Sequence, residues 1–299
     1  MRPVSIMGCG YTGLRLAQRF QAMGAAVTGF ATRPESIEAI SAAGVNARSL
    51  NLETPPQGPK LNFTGQLIYY SVPPGTNTPR ASSDYRDLRL EHFLDYIDTA
   101  GFPASTPHRL IYLSTTGVYG DQAGAVVTED TKPAPKNPRA MRRLKAEECV
   151  RSWSESHRVS WCILRIPGIY GPGRLPLERL RRSEPAITPA ETTPGNRIQV
   201  EDLVTACVAA GQSARADQRI FNITDGSEDS LTDYLQRVAR ITELPTPPLI
   251  SRAEALRTFS DSTWSFLGES RRVSNHRMLD ELGVALAYHD LDAGIRASL

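Results

Sequence analysis

Gly8-Cys9-Gly10-Tyr11-Thr12-Gly13 is the stretch that decides how this chain is read. A short apolar run, Val4-Ser5-Ile6-Met7, precedes it, and Leu14 to Met23 has the composition of a helix. Glycines between a strand and a helix let the backbone come close to a pyrophosphate. The helix start then offers unpaired N–H groups and the positive end of its dipole to the negative charge. The order strand, glycine cluster, helix predicts a nucleotide site at Gly8, Cys9, Gly10, Tyr11, Thr12 and Gly13.

Alternation of the same kind continues outward from that stretch. Strands are expected over 26–31, 66–72, 109–114 and 160–165, and helices over 34–43, 84–100 and 140–156. Leu88, Leu90, Phe93, Leu94 and Ile97 carry helical spacing within 84–100. The second half is less regular. Helices are expected over 175–180, 201–211 and 232–241, a strand over 219–223, and loop over 183–196. Strand–helix alternation implies right-handed crossovers and a mostly parallel sheet. The predicted fold is therefore α/β, a Rossmann-type doubly wound parallel sheet with a small C-terminal substrate-binding subdomain. Residues 1–172 are assigned to the dinucleotide-binding domain, with 195–225 returning to it. Residues 173–194 and 226–299 are assigned mainly to the substrate-binding lid.

Composition narrows the partners. The chain has 299 residues, 40% of them apolar and 22% charged, with a formal net charge of only +2. That balance is globular, and without a basic run it gives no case for a nucleic-acid partner. No apolar run is long enough to cross a bilayer, and nothing reads as a signal peptide. Cys9, Cys149, Cys162 and Cys207 form no CxxC pair and read as thiols in a reducing compartment. The expected location is cytoplasmic. His92, His108, His157, His276 and His289 are scattered singly, without metal-ligand spacing, so no metal is expected.

Three further stretches coincide with the glycine cluster: Leu113-Ser114-Thr115-Thr116-Gly117-Val118-Tyr119-Gly120, Arg165-Ile166-Pro167-Gly168-Ile169-Tyr170-Gly171-Pro172-Gly173, and Arg197-Ile198-Gln199-Val200-Glu201-Asp202-Leu203. Together they resemble the extended short-chain dehydrogenase/reductase family, the nucleotide-sugar epimerases and dehydratases, over residues 4 to about 223. The resemblance implies NAD or NADP bound in extended form. Gly8, Gly10 and Gly13 would meet the pyrophosphate. Ser71, Val72 and Pro73 would line the ribose and nicotinamide, with Ser114 nearby and Pro167, Gly168 and Ile169 along the nicotinamide. Thr115 would match the family's catalytic serine or threonine and Lys145 its catalytic lysine. A substrate would lie between the sheet and the lid. The resemblance also implies a homodimer formed through the helices at 84–100 and 140–156.

One departure matters. The family's general acid/base is a tyrosine four residues before the lysine, and that position here is Met141, whose thioether has no proton to exchange. The whole stretch Arg139-Ala140-Met141-Arg142-Arg143-Leu144 lacks a tyrosine. The chain is thus similar to an atypical branch of the family that also lacks it, and the run at 265–275 resembles that branch's C-terminal segment. Three readings stay open: an oxidoreductase or epimerase-like enzyme with another proton donor, a catalytically silent NAD(P)-binding sensor or interaction protein, or a step that needs little proton transfer from this position. Tyr119 and Tyr170 follow strands whose ends face the site and are the nearest alternative donors. Arg142 and Arg197 are candidates for holding a small polar or sugar-nucleotide-like substrate; Arg197 reads equally as a surface salt bridge.

The second strand ends Phe30-Ala31-Thr32-Arg33, with no acid before Pro34. NAD-preferring folds place Asp or Glu there for the ribose 2′-OH. Arg33, helped by the Thr32 hydroxyl, can instead pair with a 2′-phosphate. NADP is expected over NAD, the alternative being that Glu35 reaches back to the ribose.

Overall fold

The computed structural model describes residues 1–57, 61–75, 85–99, 107–260, 263–264 and 267–299. In chain order its elements are β1 (Val4–Met7), α1 (Tyr11–Ala22), β2 (Val27–Ala31), α2 (Pro34–Ala42), β3 (Asn46–Ser49), β4 (Leu67–Tyr70), α3 (Leu88–Thr99), β5 (Arg109–Thr115), β6 (Val126–Val127), α4 (Pro138–His157), β7 (Ser160–Ile166), β8 (Gly168–Tyr170), α5 (Leu177–Arg181), β9 (Ala186–Ile187), β10 (Arg197–Gln199), α6 (Val200–Gln212), β11 (Arg219–Asn222) and α7 (Leu231–Ile241). The expected ends of α3 at residues 84 and 100, and part of the 265–275 run, lie outside the described residues.

Seven strands form one sheet in the order β11-β7-β5-β4-β1-β2-β3, every pair parallel. This is the doubly wound α/β architecture that the alternation predicts. The strand β3 is a difference from the sequence reading. Its residues Asn46-Ala47-Arg48-Ser49 carry no apolar run, because it is an edge strand with three of its four residues exposed. The central strands β1 and β4 are buried along their whole length, which is why they read as continuous apolar runs.

Two layers of core flank the sheet. Ile6, Leu16, Phe20, Tyr69, Cys162, Leu203 and Phe221 pack on one face, under α1 and α6. Met7, Tyr70, Phe93, Ile97, Tyr112, Val150 and Ile163 pack on the other, under α3 and α4. A third cluster joins Tyr170 and Leu180 to Tyr234, Leu235 and Val238 of α7 and to Leu291 and Ile295. The helix α7 begins with a capping box between Ser230 and Asp233. Strand order reverses between β1 and β4, so the carboxyl ends of these two strands open a crevice at a topological switch point. Among the described residues, no helix is long and apolar enough to cross a membrane.

Candidate functional site

The glycine loop lies in that crevice. Gly8 has φ of +83°, and a Cβ there would lie 3.0 Å from both Ser71 Oγ and the Val72 amide. A Cβ on Gly13 would meet the Gly8 carbonyl oxygen at 3.0 Å and Ile6 at 3.1 Å, so this glycine lets α1 close onto β1. Gly10 differs: a Cβ there would meet nothing within 4 Å, and the residue faces open space. Two close approaches and one open glycine make a cradle of the kind a pyrophosphate requires, directly before the unpaired amides of the first turn of α1. Gly29, mid-strand in β2, leaves room for Cys9, whose Sγ would be 2.7 Å from a Cβ at that position. Burial pushes the Cys9 thiol up to about 12, so it is a packing residue rather than a reactive one.

A cavity of about 800 Å³ runs along this loop. Gly8, Cys9, Gly10, Tyr11, Thr12, Gly13, Thr32, Arg33, Ser71, Val72, Pro73, Ser114, Thr115, Pro167 and Ile169 all line it. Fifteen residues singled out from sequence are thus brought to one surface. Ser71 Oγ donates to the Met7 and Gly8 carbonyls, fixing the β4 end against the loop. Arg33 is the N-cap residue of α2 and exposed; Ser36 also lines the cavity, whereas Glu35 does not. Glu53 at the same rim is paired with Arg89.

A second cavity of about 560 Å³ adjoins the first, and both are lined by Thr115, Arg139, Pro167, Ile169 and Arg174. Its wall includes Gly168, Tyr170, Asn196, Arg197, Tyr234, Glu269 and Arg271. Gly168, expected beside Pro167 and Ile169 in the first cavity, lines only this one. Arg197 is 5% exposed. Its guanidinium lies 5.0 Å from the Tyr234 ring centre, and Nη2 donates to the Ser230 carbonyl. Its Nη1 is buried with no hydrogen-bond partner in the structure. Burial holds Arg197 below the ordinary guanidinium value, opposed by Asp225 and Asp229. The surface-salt-bridge alternative therefore fails for Arg197, a buried cation facing a cavity. Glu269 pairs with Arg271 at 2.6 Å and accepts from Asn137, the N-cap residue of α4.

Four further residues singled out from sequence do not line the first cavity. Lys145 lines neither cavity: its side chain is 58% exposed and pairs with Glu148 at 2.7 Å. Arg142 likewise lines neither. The physical reason is helical register. The face of α4 turned to the crevice carries Arg139 and Arg143, four residues apart, and Met141 and Lys145 are each two residues further round. Tyr119 is fully buried behind the site, where its hydroxyl donates to Asn222 Oδ1 at 2.7 Å and its ring lies under Arg165. Tyr170 lends its ring to the second cavity, but its hydroxyl lies against Gly294, 2.2 Å from where a Cβ would stand. Burial raises both phenols above their ordinary value. Asp202, in the first turn of α6, accepts the Ala287 and Tyr288 amides and ties down the C-terminal segment; Gln199 caps α6.

Arg139, Arg143 and Arg174 are cavity cations that sequence reasoning missed. Arg143 Nη1 donates to the Tyr112 hydroxyl at 3.0 Å and the Leu113 carbonyl at 3.3 Å. Burial and the Arg143 charge together hold Arg139 below the ordinary guanidinium value. A four-residue repeat, Arg139, Arg143, Glu147, was the signal available. Glu147 is buried and bonds both Ser114 Oγ, at 2.5 Å, and Arg165, at 2.7 Å. It thereby pins α4 to the ends of β5 and β7.

Parallel strand order, a glycine loop at the switch point and a cavity along it define an α/β protein of Rossmann type. More particularly, residues 90–224 match the NAD dependent epimerase/dehydratase family. Along 97% of both chains, the protein is 27% identical to Protein YeeZ of Escherichia coli strain K12. A solved structure described as a functionally unknown conserved protein from Silicibacter pomeroyi DSS is 29% identical, with a TM-score of 0.82, over 99% of this chain and 98% of that one. The UDP-glucuronic acid 4-epimerase of Bacillus cereus, solved with UDP-glucuronic acid and NAD, is 18% identical, with a TM-score of 0.74, over 99% of this chain and 97% of that one. At that identity the likeness is one of fold.

Proposed function

We propose that the chain is an NAD(P)-dependent oxidoreductase or epimerase-like enzyme with an atypical active site, preferring NADP. The observation that carries this reading is the junction of the two cavities at Thr115, Arg139, Pro167, Ile169 and Arg174. A cofactor lying along the glycine loop would bring its nicotinamide end to that junction. The loop glycines and first α1 amides would hold the pyrophosphate, and Arg33 with Ser36 the 2′-phosphate. Val72 and Pro167 would flank the reactive ring. When bound, the nicotinamide supplies hydride donation or acceptance.

The chain's own residues then do three things. The second cavity's wall holds Arg139, Arg174, Arg197 and Arg271 against the one carboxylate of Glu269, so it favours a small polar substrate bearing an anionic group, sugar-nucleotide-like substrates included. Thr115 Oγ1 accepts the Gly117 amide at 3.2 Å, which leaves its own hydrogen for a substrate oxygen. Arg139 and Arg143 supply fixed positive charge where negative charge would develop on that oxygen. A guanidinium stays protonated, so this pair stabilises charge and does not relay a proton. That last property also favours a second reading, a cofactor-binding sensor without turnover.

Calorimetric titration of cofactor-stripped protein with NADPH, NADP, NADH and NAD tests the proposal. NADPH binding at least about tenfold tighter than NADH is expected from the added charge-assisted contacts. Absence of binding by all four would overturn it. Turnover of an anionic carbonyl or hydroxyl substrate would separate the enzyme from the sensor.

A further inference from the structure

We propose that Arg174 is a clamp on the cofactor pyrophosphate, held in place by the ring of Tyr11; the inference rests on the cofactor reading above. Tyr11 is the first residue of α1 and belongs to the glycine loop. Two guanidiniums lie over its ring, Arg15 at 4.1 Å and Arg174 at 3.9 Å from the centre. Planar groups that close to one ring centre occupy its opposite faces. Each gains from the ring quadrupole.

The two arginines differ in what else they meet. Arg15 lies 3.5 Å from Glu201 and donates to the Tyr11 carbonyl. Arg174 pairs with no carboxylate among the described residues, although it lines both cavities. An aromatic face fixes where a guanidinium sits but leaves its edge N–H groups unused. Those donors stand beside the first turn of α1, whose own amides lack intrahelical acceptors. One surplus positive charge and a set of unused donors thus share the rim of the glycine loop. A phosphate-type anion is the ligand that answers both.

The loop that carries Arg174 is built for this position. Gly171 has φ of +155°, and a Cβ there would lie 2.5 Å from the Tyr11 hydroxyl and 2.6 Å from Val200 Cγ1. Only glycine lets the chain pass this close. The Arg174 amide then donates to the Gly171 carbonyl at 2.9 Å, turning the side chain back over Tyr11. Because the same segment forms one wall of the second cavity, cofactor binding would order that wall before substrate enters.

The test is calorimetry on the full chain with NADPH, ADP-ribose and 2′-AMP, using wild type, Arg174→Gln and Arg174→Lys. ADP-ribose carries the pyrophosphate without the nicotinamide; 2′-AMP carries only the 2′-phosphate. Arg174→Gln is expected to weaken NADPH and ADP-ribose by about tenfold or more and leave 2′-AMP within about twofold. Arg174→Lys, which keeps charge but loses the planar stack, should fall between. Equal NADPH affinity in wild type and Arg174→Gln overturns the clamp alone. Equal loss of all three ligands overturns it too, by showing a general disturbance. Wild type that binds none of the three overturns the cofactor reading and the clamp with it. Weakened binding of a substrate-side anion such as inorganic phosphate, with NADPH unchanged, assigns Arg174 to substrate and overturns the cofactor clamp.

Discussion

Arg139 and Arg143 stand one helical turn apart on α4 and both reach the cavity that follows the glycine loop, whereas Met141 and Lys145 do not. The pair places two permanent cations on the helix face next to Thr115. Under the proposed function, chemistry at this face is electrostatic. A proton would have to come from elsewhere or from the solvent.

This register gives the first prediction. Lys145→Met should leave NADPH affinity within about twofold, because the ammonium is in solvent and paired only with Glu148. Arg143→Met should weaken NADPH about tenfold. It should also lower stability by about 1–3 kcal/mol, since the Tyr112 hydroxyl and Leu113 carbonyl lose their donor. Calorimetric titration and denaturant unfolding of both variants check this. Equal effects would place the site face of α4 on Lys145 after all.

The contrast shows what was legible in the sequence. The glycine loop, Ser71-Val72-Pro73 and Thr115 were readable because each follows directly on an apolar strand, and strand ends in a parallel sheet all open to one edge. The register of α4 was not. From Arg139 to Glu148 only Ala140, Met141, Leu144 and Ala146 are uncharged, too few to mark a buried face, and anchoring on Lys145 selects a face two residues from the one that lines the cavity. Tyr119 and Tyr170 were placed correctly along the chain, but the direction of a hydroxyl depends on packing partners, Asn222 and Gly294, about a hundred residues away. The same limit hid the buried role of Arg197.

Glu147 and Arg165 form an ion pair with both side chains 3% exposed. Removing one charge strands the other in a low-dielectric interior. Glu147→Gln should cost about 3–5 kcal/mol in urea unfolding at neutral pH. If the pair serves mainly to hold α4 against β5, NADPH affinity should fall as well, and Arg139→Ala should then show no added loss in the double variant. A stability change under about 1 kcal/mol would show that water reaches the pair.

Arg33 is exposed at the N-cap of α2, so its removal should not disturb the fold. Arg33→Ala should weaken NADPH about tenfold and leave NADH within about twofold. The ratio of the two dissociation constants is the measurement. A ratio unchanged by the substitution would shift the 2′-phosphate contact to Ser36 or remove it.

Asp225 gives a pH dependence with a definite sign. Its carboxyl is pushed up from 3.8 to about 6, chiefly by burial, against the pull of the Ser227 amide and Arg197. A carboxyl raised in the folded state binds its proton more tightly there than in the unfolded chain. Its contribution is therefore fully present below about pH 4 and is lost as pH rises through about 6. The loss is of the order of 3 kcal/mol for a shift of about two units. Asp225→Asn keeps an acceptor for the Ser227 amide but cannot ionise. Unfolding free energies measured from pH 4 to 7.5 should show wild type falling relative to Asp225→Asn across that window, with the two curves parallel above it. Parallel curves throughout would mean that the folded carboxyl titrates where the unfolded one does, with the Arg197 charge offsetting the cost of burial.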